Sequence, residues 1–203
     1  MRPMIAGAKS RQFTGKIIWP GKSTRHNNLY CAFRKKFEMR KAGECHIYLS
    51  ADTYYNLYID GSFINRGPVR AYETNYSYDD ITLFLNKGIH QIAVLVHYIG
   101  KECATHRVAS HAFFADIVTD EVIQGTDESY KAITIEAYHD TPQMISHFGF
   151  PEDVDMREFP EHWMKIDFDD SKWQNAKVIS EVGKDCHLNL TARQLKLFNY
   201  VPL

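Results

Sequence analysis

The chain has 203 residues, a formal net charge of -1 and a hydrophobic fraction of 44%, which excludes intrinsic disorder and allows a substantial core without staples. Basic and acidic residues interleave, so there is no nucleic-acid footprint, and no apolar run is long enough to span a bilayer, so no membrane partner is expected. The N-terminus lacks an apolar signal core, and the chain reads as cytoplasmic.

In chain order, Phe13 to Trp19 reads as an opening strand closed by Pro20-Gly21. Asn28 to Met39 alternates, with Leu29, Cys31, Phe33 and Phe37 opposed to Arg34 and Lys36, so the run Arg34-Lys35-Lys36 is expected on a solvated face. Gly43 to Ala51 places Cys45, Ile47 and Leu49 on one face, and Tyr54 to Asp60 does the same with Leu57 and Ile59. Asp60-Gly61 between two short strands is a hairpin signal, because Gly accepts the positive φ of a tight turn. Arg66-Gly67-Pro68 turns the chain into a long loop that ends near Tyr78. Strands follow at Ile81 to Leu85 and Gly88 to Tyr98, then at Arg107 to Thr119, Ile133 to Tyr138 and Ala176 to Ile179. Thr191 to Phe198 reads as a short helix.

No helix-period segment interrupts Tyr54 to Val96, which points to an all-β, jelly-roll β-sandwich. Residues 139–170 lack regular periodicity and are expected to wrap the sandwich or carry function. With no linker, repeat or low-complexity tract, one domain over residues 1–203 is expected. The cysteines Cys31, Cys45, Cys103 and Cys186 lack CxxC spacing; a zinc site is not expected, and buried thiols fit better than disulfides.

Glycoside hydrolysis needs two carboxylates astride one bond. Asp79, Asp80, Glu152, Asp153, Asp155, Glu158, Asp169 and Asp170 are available, but most sit at turns or strand entrances, where Asp accepts backbone N–H groups. His106 with His111, and His139 with His147, lack ligand spacing. The acidic turns allow a calcium ion without specifying one, so no cofactor is assigned. No nucleophile signature, dinucleotide fingerprint or P-loop is present. The loop from Arg66 to Tyr78 carries Arg66, Arg70, Tyr72, Asn75 and Tyr76. Arg and Asn bind vicinal hydroxyls and Tyr offers a stacking face, a composition that suits contact with carbohydrate and equally with another domain.

The order of motifs resembles the N-terminal β-sandwich region of bacterial α-L-rhamnosidases (glycoside hydrolase family 78), and more weakly the galactose-binding-like jelly roll of β-galactosidase-type enzymes. The residues that carry it are Ile17-Ile18-Trp19-Pro20, Phe33-Arg34-Lys35-Lys36-Phe37, Tyr54-x-x-Leu-Tyr-Ile-Asp-Gly61 with Arg66-Gly67-Pro68, and Tyr78-Asp-Asp-Ile-Thr82. Further on come Gly125-Thr-Asp-Glu-Ser-Tyr-Lys131, Glu152-x-x-Asp155-x-Arg157 and Phe168-Asp-Asp-Ser-x-Trp173. The closing Leu197-Phe-Asn-Tyr-Val-Pro-Leu203 is loosely similar as well; Tyr130 stands where the family has Trp, and Asn199 where it has Arg. The resemblance implies a non-catalytic accessory domain that positions L-rhamnosides or braces a downstream (α/α)6 catalytic domain of the same polypeptide. It carries no catalytic residue onto this chain. The other readings are a stand-alone glycosidase and a pure protein-interaction module.

Overall fold

The computed structural model describes residues 11–21, 26–69, 76–104, 106–107, 110–145, 149–184 and 189–197. Their strands are β1 (Lys16–Trp19), β2 (Leu29–Met39), β3 (Gly43–Asp52), β4 (Tyr54–Ile59), β5 (Ser62–Gly67), β6 (Tyr76–Leu85) and β7 (Gly88–Tyr98). They continue as β8 (Ala112–Val118), β9 (Ile123–Gly125), β10 (Lys131–Thr134), β11 (Gln174–Asn175), β12 (Lys177–Glu181) and β13 (Leu190–Ala192). A six-stranded sheet has the order β11-β10-β2-β7-β4-β5. It faces a five-stranded sheet of order β13-β6-β3-β8-β9, and β1 pairs with β12 beside them. The chain is an all-β sandwich.

The alternation read from the sequence builds the core. Cys31, Phe33, Leu57, Val94 and Val96 of the larger sheet meet Cys45, Ile47, Leu49, Phe113 and Ile117 of the smaller one, all at most 1% exposed. Phe33 reaches Phe113 across the layers at 4.7 Å between ring centroids. The β4–β5 hairpin turns at Asp60 and Gly61, whose φ values are 51° and 82°. That pair of positive angles matches the twist of the strands and explains the Asp-Gly signal. Cys31, Cys45 and Cys103 are buried thiols outside any disulfide; Cys186 lies outside the described residues.

Much of the outer face of the six-stranded sheet is covered. Ile135, Ala137, Trp163 and Trp173 of the later segment pack on Tyr30, Ala32, Ala93 and Leu95. With Tyr138, Val154, Phe159, Met164 and Phe168 packed on the same cluster, the described residues of this segment form a wrap over this side of the sandwich. The packing overturns one expectation. Arg34 is not on a solvated face; it is fully buried. Its guanidinium donates to Asp170 Oδ2 (2.9 Å), to Gln91 Oε1 (3.1 Å), and to the carbonyls of Trp163, Lys165 (3.1 Å) and Phe168 (3.4 Å). The charge is tolerated because the wrap supplies acceptors along the fork of N–H donors. The expected helix near the C-terminus is also absent. Residues 190–192 form β13, parallel to β6, and Tyr76 N–H donates to Asn189 O while Arg193 N–H donates to Tyr78 O. The open edge of β6 satisfies this segment's backbone groups, and a helix would leave that edge unpaired.

Candidate functional site

A cleft of about 110 Å³ opens on the outer face of the six-stranded sheet, where the wrap stops short of the β5 edge. Strand register sets its floor. Tyr30 of β2 stands opposite His97 of β7, which stands opposite Tyr54 of β4. One row further along, Leu95 lies opposite Asn56, and Asn56 opposite Arg66. These positions have the parity opposite to Tyr55, Leu57 and Val96, which face the core, so they all face outward.

The wrap supplies the remaining wall. A short antiparallel bridge pairs Tyr138 with Val154, and His139 N–H donates to Asp153 O at 2.9 Å. This fold-back brings Tyr138 and Glu152 over Tyr30. The Tyr30 ring is stacked between His97 (centroids 4.0 Å apart) and Tyr138 (3.5 Å), and its hydroxyl donates to Glu152 Oε1 at 3.2 Å. Burial, then the neighbouring carboxylate, raises the Tyr30 hydroxyl far above its ordinary pKa, so it remains a donor. His97 Nε2 lies 3.0 Å from Asn28 Oδ1, Asn28 Nδ2 donates to Thr141 Oγ1 (3.2 Å), and Thr141 donates to Pro151 O (2.8 Å). This chain ties the sheet to the residue preceding Glu152. Burial first, then the Arg66 and His106 charges, lower His97 to about 4, so the ring is neutral and its Nε2–H donates. Arg66 is exposed, with its guanidinium 5.8 Å from the Tyr54 ring centroid.

Beneath the cleft, on the inner side of β4 and β5, is a buried polar cluster. Tyr55 hydroxyl donates to Asp79, Asn65 Nδ2 donates to Tyr55 Oη (3.1 Å), and Arg193 lies 3.4 Å from Asp79 Oδ1. A Cβ on Gly67 would lie 2.0 Å from Asp79 Oδ2, which is the physical reason for Gly in Arg66-Gly67-Pro68. A broader depression of about 630 Å³ lies beside Lys35 and Ser129. Three of its polar groups serve one another: Lys35 Nζ donates to Ser129 Oγ (2.6 Å), and Ser129 donates to Asp127.

Of the five loop residues singled out from the sequence, Arg66 lines the cleft. Tyr76 begins β6 in the other sheet, opposite Leu190, and is not brought to Arg66. Arg70, Tyr72 and Asn75 lie outside the described residues. The acidic candidates scatter: Asp79 is buried between the sheets, Asp155 holds Arg157, Asp169 accepts the Ser171 N–H, and Asp170 holds Arg34. Only Glu152 of that group lines the cleft. Among the described residues no group of three or more His, Cys, Asp or Glu is placed to hold a metal ion. Tyr30, Tyr54, Asn56, His97 and Tyr138 were not singled out beforehand. Period two shows that Tyr54 and Asn56 point away from Leu57, but not which part of the outer face the wrap leaves open.

No family model matches the chain, and no curated protein matches it. Solved structures do. The GH78 family rhamnosidase of Bacillus sp. GL1 is similar with a TM-score of 0.86 and 26% identity, over 93% of this chain and 20% of that one. The α-L-rhamnosidase of Dictyoglomus thermophilum is similar in fold (TM-score 0.61, 20% identity, 89% of this chain and 22% of that one). So is a lectin of Pleurotus ostreatus solved with GalNAc (TM-score 0.55, 18% identity, 83% of this chain and 44% of that one). The chain thus spans about a fifth of the length of the two rhamnosidases. The likeness read from the motif order is met in three dimensions: this chain is similar to a β-sandwich portion of the GH78 α-L-rhamnosidases.

Proposed function

We propose that the chain is a non-catalytic, carbohydrate-binding accessory module of a rhamnosidase-type glycoside hydrolase, and that the cleft between Arg66 and Glu152 is its saccharide site. The observation that carries this reading is the composition of the cleft. Arg66, Asn56 and Glu152 offer donors and acceptors suited to vicinal hydroxyls, and Tyr54 offers a stacking face with a polar tip. The lectin solved with GalNAc and the rhamnosidases, all sharing the fold, support it. Among the described residues Glu152 is the single carboxylate of the lining, whereas glycoside hydrolysis uses two, so binding fits the site better than catalysis. The loop residues Arg70, Tyr72 and Asn75 are proposed to extend the contact.

The short span relative to the rhamnosidases supports a second role beside the first: bracing a downstream (α/α)6 catalytic domain. Titration of the isotope-labelled chain with L-rhamnose, rhamnosides and GalNAc, followed by backbone amide shifts, tests the binding role. Saturable shifts at the amides of Tyr54, Asn56, Arg66 and Glu152 are expected at millimolar sugar. A flat titration for every sugar would leave only the bracing role.

A further inference from the structure

We infer that the cleft selects acidic saccharides, binding a uronate through its carboxylate at Arg66 and through its ring hydroxyls at Glu152 and Asn56. This rests on the saccharide-binding reading and narrows it to a ligand class.

Charge pairing singles out Arg66. Arg11, Arg34, Arg40, Arg107, Arg157 and Arg193 each pair with a carboxylate. Among the described residues, Arg66 alone of the arginines has no such partner; its guanidinium lies against the Tyr54 ring. A guanidinium fork held against an aromatic ring at the lip of a cleft is suited to a bidentate carboxylate. Its charge is felt inside, because it acts on His97 and on the Tyr30 hydroxyl of the floor. His97 is neutral and does not compete for the anion.

The opposite wall decides what kind of anion fits. Glu152 accepts from Tyr30 with Oε1, and Oε2 makes no further contact among the described residues. This carboxylate repels a compact anion such as phosphate or sulfate but accepts from hydroxyls. A ligand therefore needs an anionic group at one end and hydroxyl donors at the other. Size agrees: at about 110 Å³ the cleft is well below the roughly 300–1,000 Å³ of a pocket that encloses a whole ligand. The cleft takes one edge of a ring, and on a uronate that edge carries the carboxylate and its neighbouring hydroxyls.

Isothermal titration of the full chain with D-glucuronate, D-galacturonate, D-glucose, D-galactose, L-rhamnose, acetate and inorganic phosphate tests the inference. At low salt a uronate is expected to bind at least tenfold tighter than its neutral counterpart. Arg66→Gln should remove that tenfold preference, weakening uronate binding far more than neutral-sugar binding and leaving the melting temperature unchanged, and Arg66→Lys should retain only part of the preference. Equal binding of acidic and neutral sugars would overturn the acidic selectivity and leave the saccharide reading standing. Acetate or phosphate binding as tightly as the uronates would reduce the cleft to an anion site, overturning the inference. Silence with every sugar would sink both readings.

Discussion

Arg34 and Asp170, 136 positions apart in the chain, meet at 2.9 Å across the outer face of the six-stranded sheet. Together with the Trp163, Lys165 and Phe168 carbonyls, the pair pins the wrap to β2, and the Phe168 ring centroid lies 4.9 Å from the guanidinium. This gives the Phe168-Asp-Asp-Ser-x-Trp173 motif a mechanical meaning. Asp170 and Phe168 grip Arg34, Asp169 caps the turn, and Trp173 packs near Trp163.

Arg34→Met should therefore release the wrap while leaving the sandwich folded. Removing one partner of a buried pair costs about 3–5 kcal/mol, and the abandoned carbonyls add to it. Hydrogen exchange should accelerate over residues 135–173 and much less in β3, β6 and β8. Uniform acceleration of all strands would instead mean that the wrap and the sandwich unfold as one unit.

Gly67→Ala should destabilise the fold by about 1–3 kcal/mol or more, because its Cβ would lie 2.0 Å from Asp79 Oδ2 inside a buried cluster. Gly43→Ala is the control. Nothing lies within 4 Å of a Cβ there, and the change should stay within about 0.5 kcal/mol. Urea midpoints of the two variants provide the comparison.

Tyr30→Phe keeps the ring stacked between His97 and Tyr138 and deletes only the donor to Glu152. Stability should fall by about 1 kcal/mol. Saccharide affinity should fall as well, since Glu152 loses the group that orients it. Unchanged affinity would show that Glu152 is positioned by the 151–155 backbone alone.

Two buried groups should tilt the pH dependence of stability in opposite directions. Burial pushes the Asp52 carboxyl from 3.8 up to about 7, so the folded state holds a proton that the unfolded state releases. Stability from this group falls as pH rises from about 3.8 to 7. His97 is lowered from 6.5 to about 4, so the unfolded state takes the proton first. Stability from this group rises with pH between about 4 and 6.5, and is fully present above that. The two slopes oppose each other in the native chain. Asp52→Asn should expose a stability that climbs with pH, and His97→Gln one that declines. Melting temperatures from pH 4 to 8 test both; slopes of the same sign would show that other groups dominate.

The strands were legible wherever one face meets the core and the other does not. Cys45, Ile47 and Leu49 announce β3, and Gly88 to Tyr98 has the bounds read from its pattern. Arg34 was misread because its environment is built by residues about 130 positions later, which no local period encodes. Residues 190–192 were misread as helix for a related reason: a parallel partner on β6 is a non-local fact. In the cleft, Arg66 was visible as a loop-end arginine. Its neighbours Tyr54 and Asn56 reach it only through hairpin register, and Tyr138 and Glu152 only through the wrap.

Two of the chain's three tryptophans, Trp163 and Trp173, belong to the wrap, while Trp19 packs between the sheets. Intrinsic fluorescence of this protein is therefore weighted toward its outermost layer. A spectral transition on heating or in denaturant will report the peeling of the wrap before it reports the melting of the sandwich, and near-ultraviolet and far-ultraviolet circular dichroism should part company over the same range.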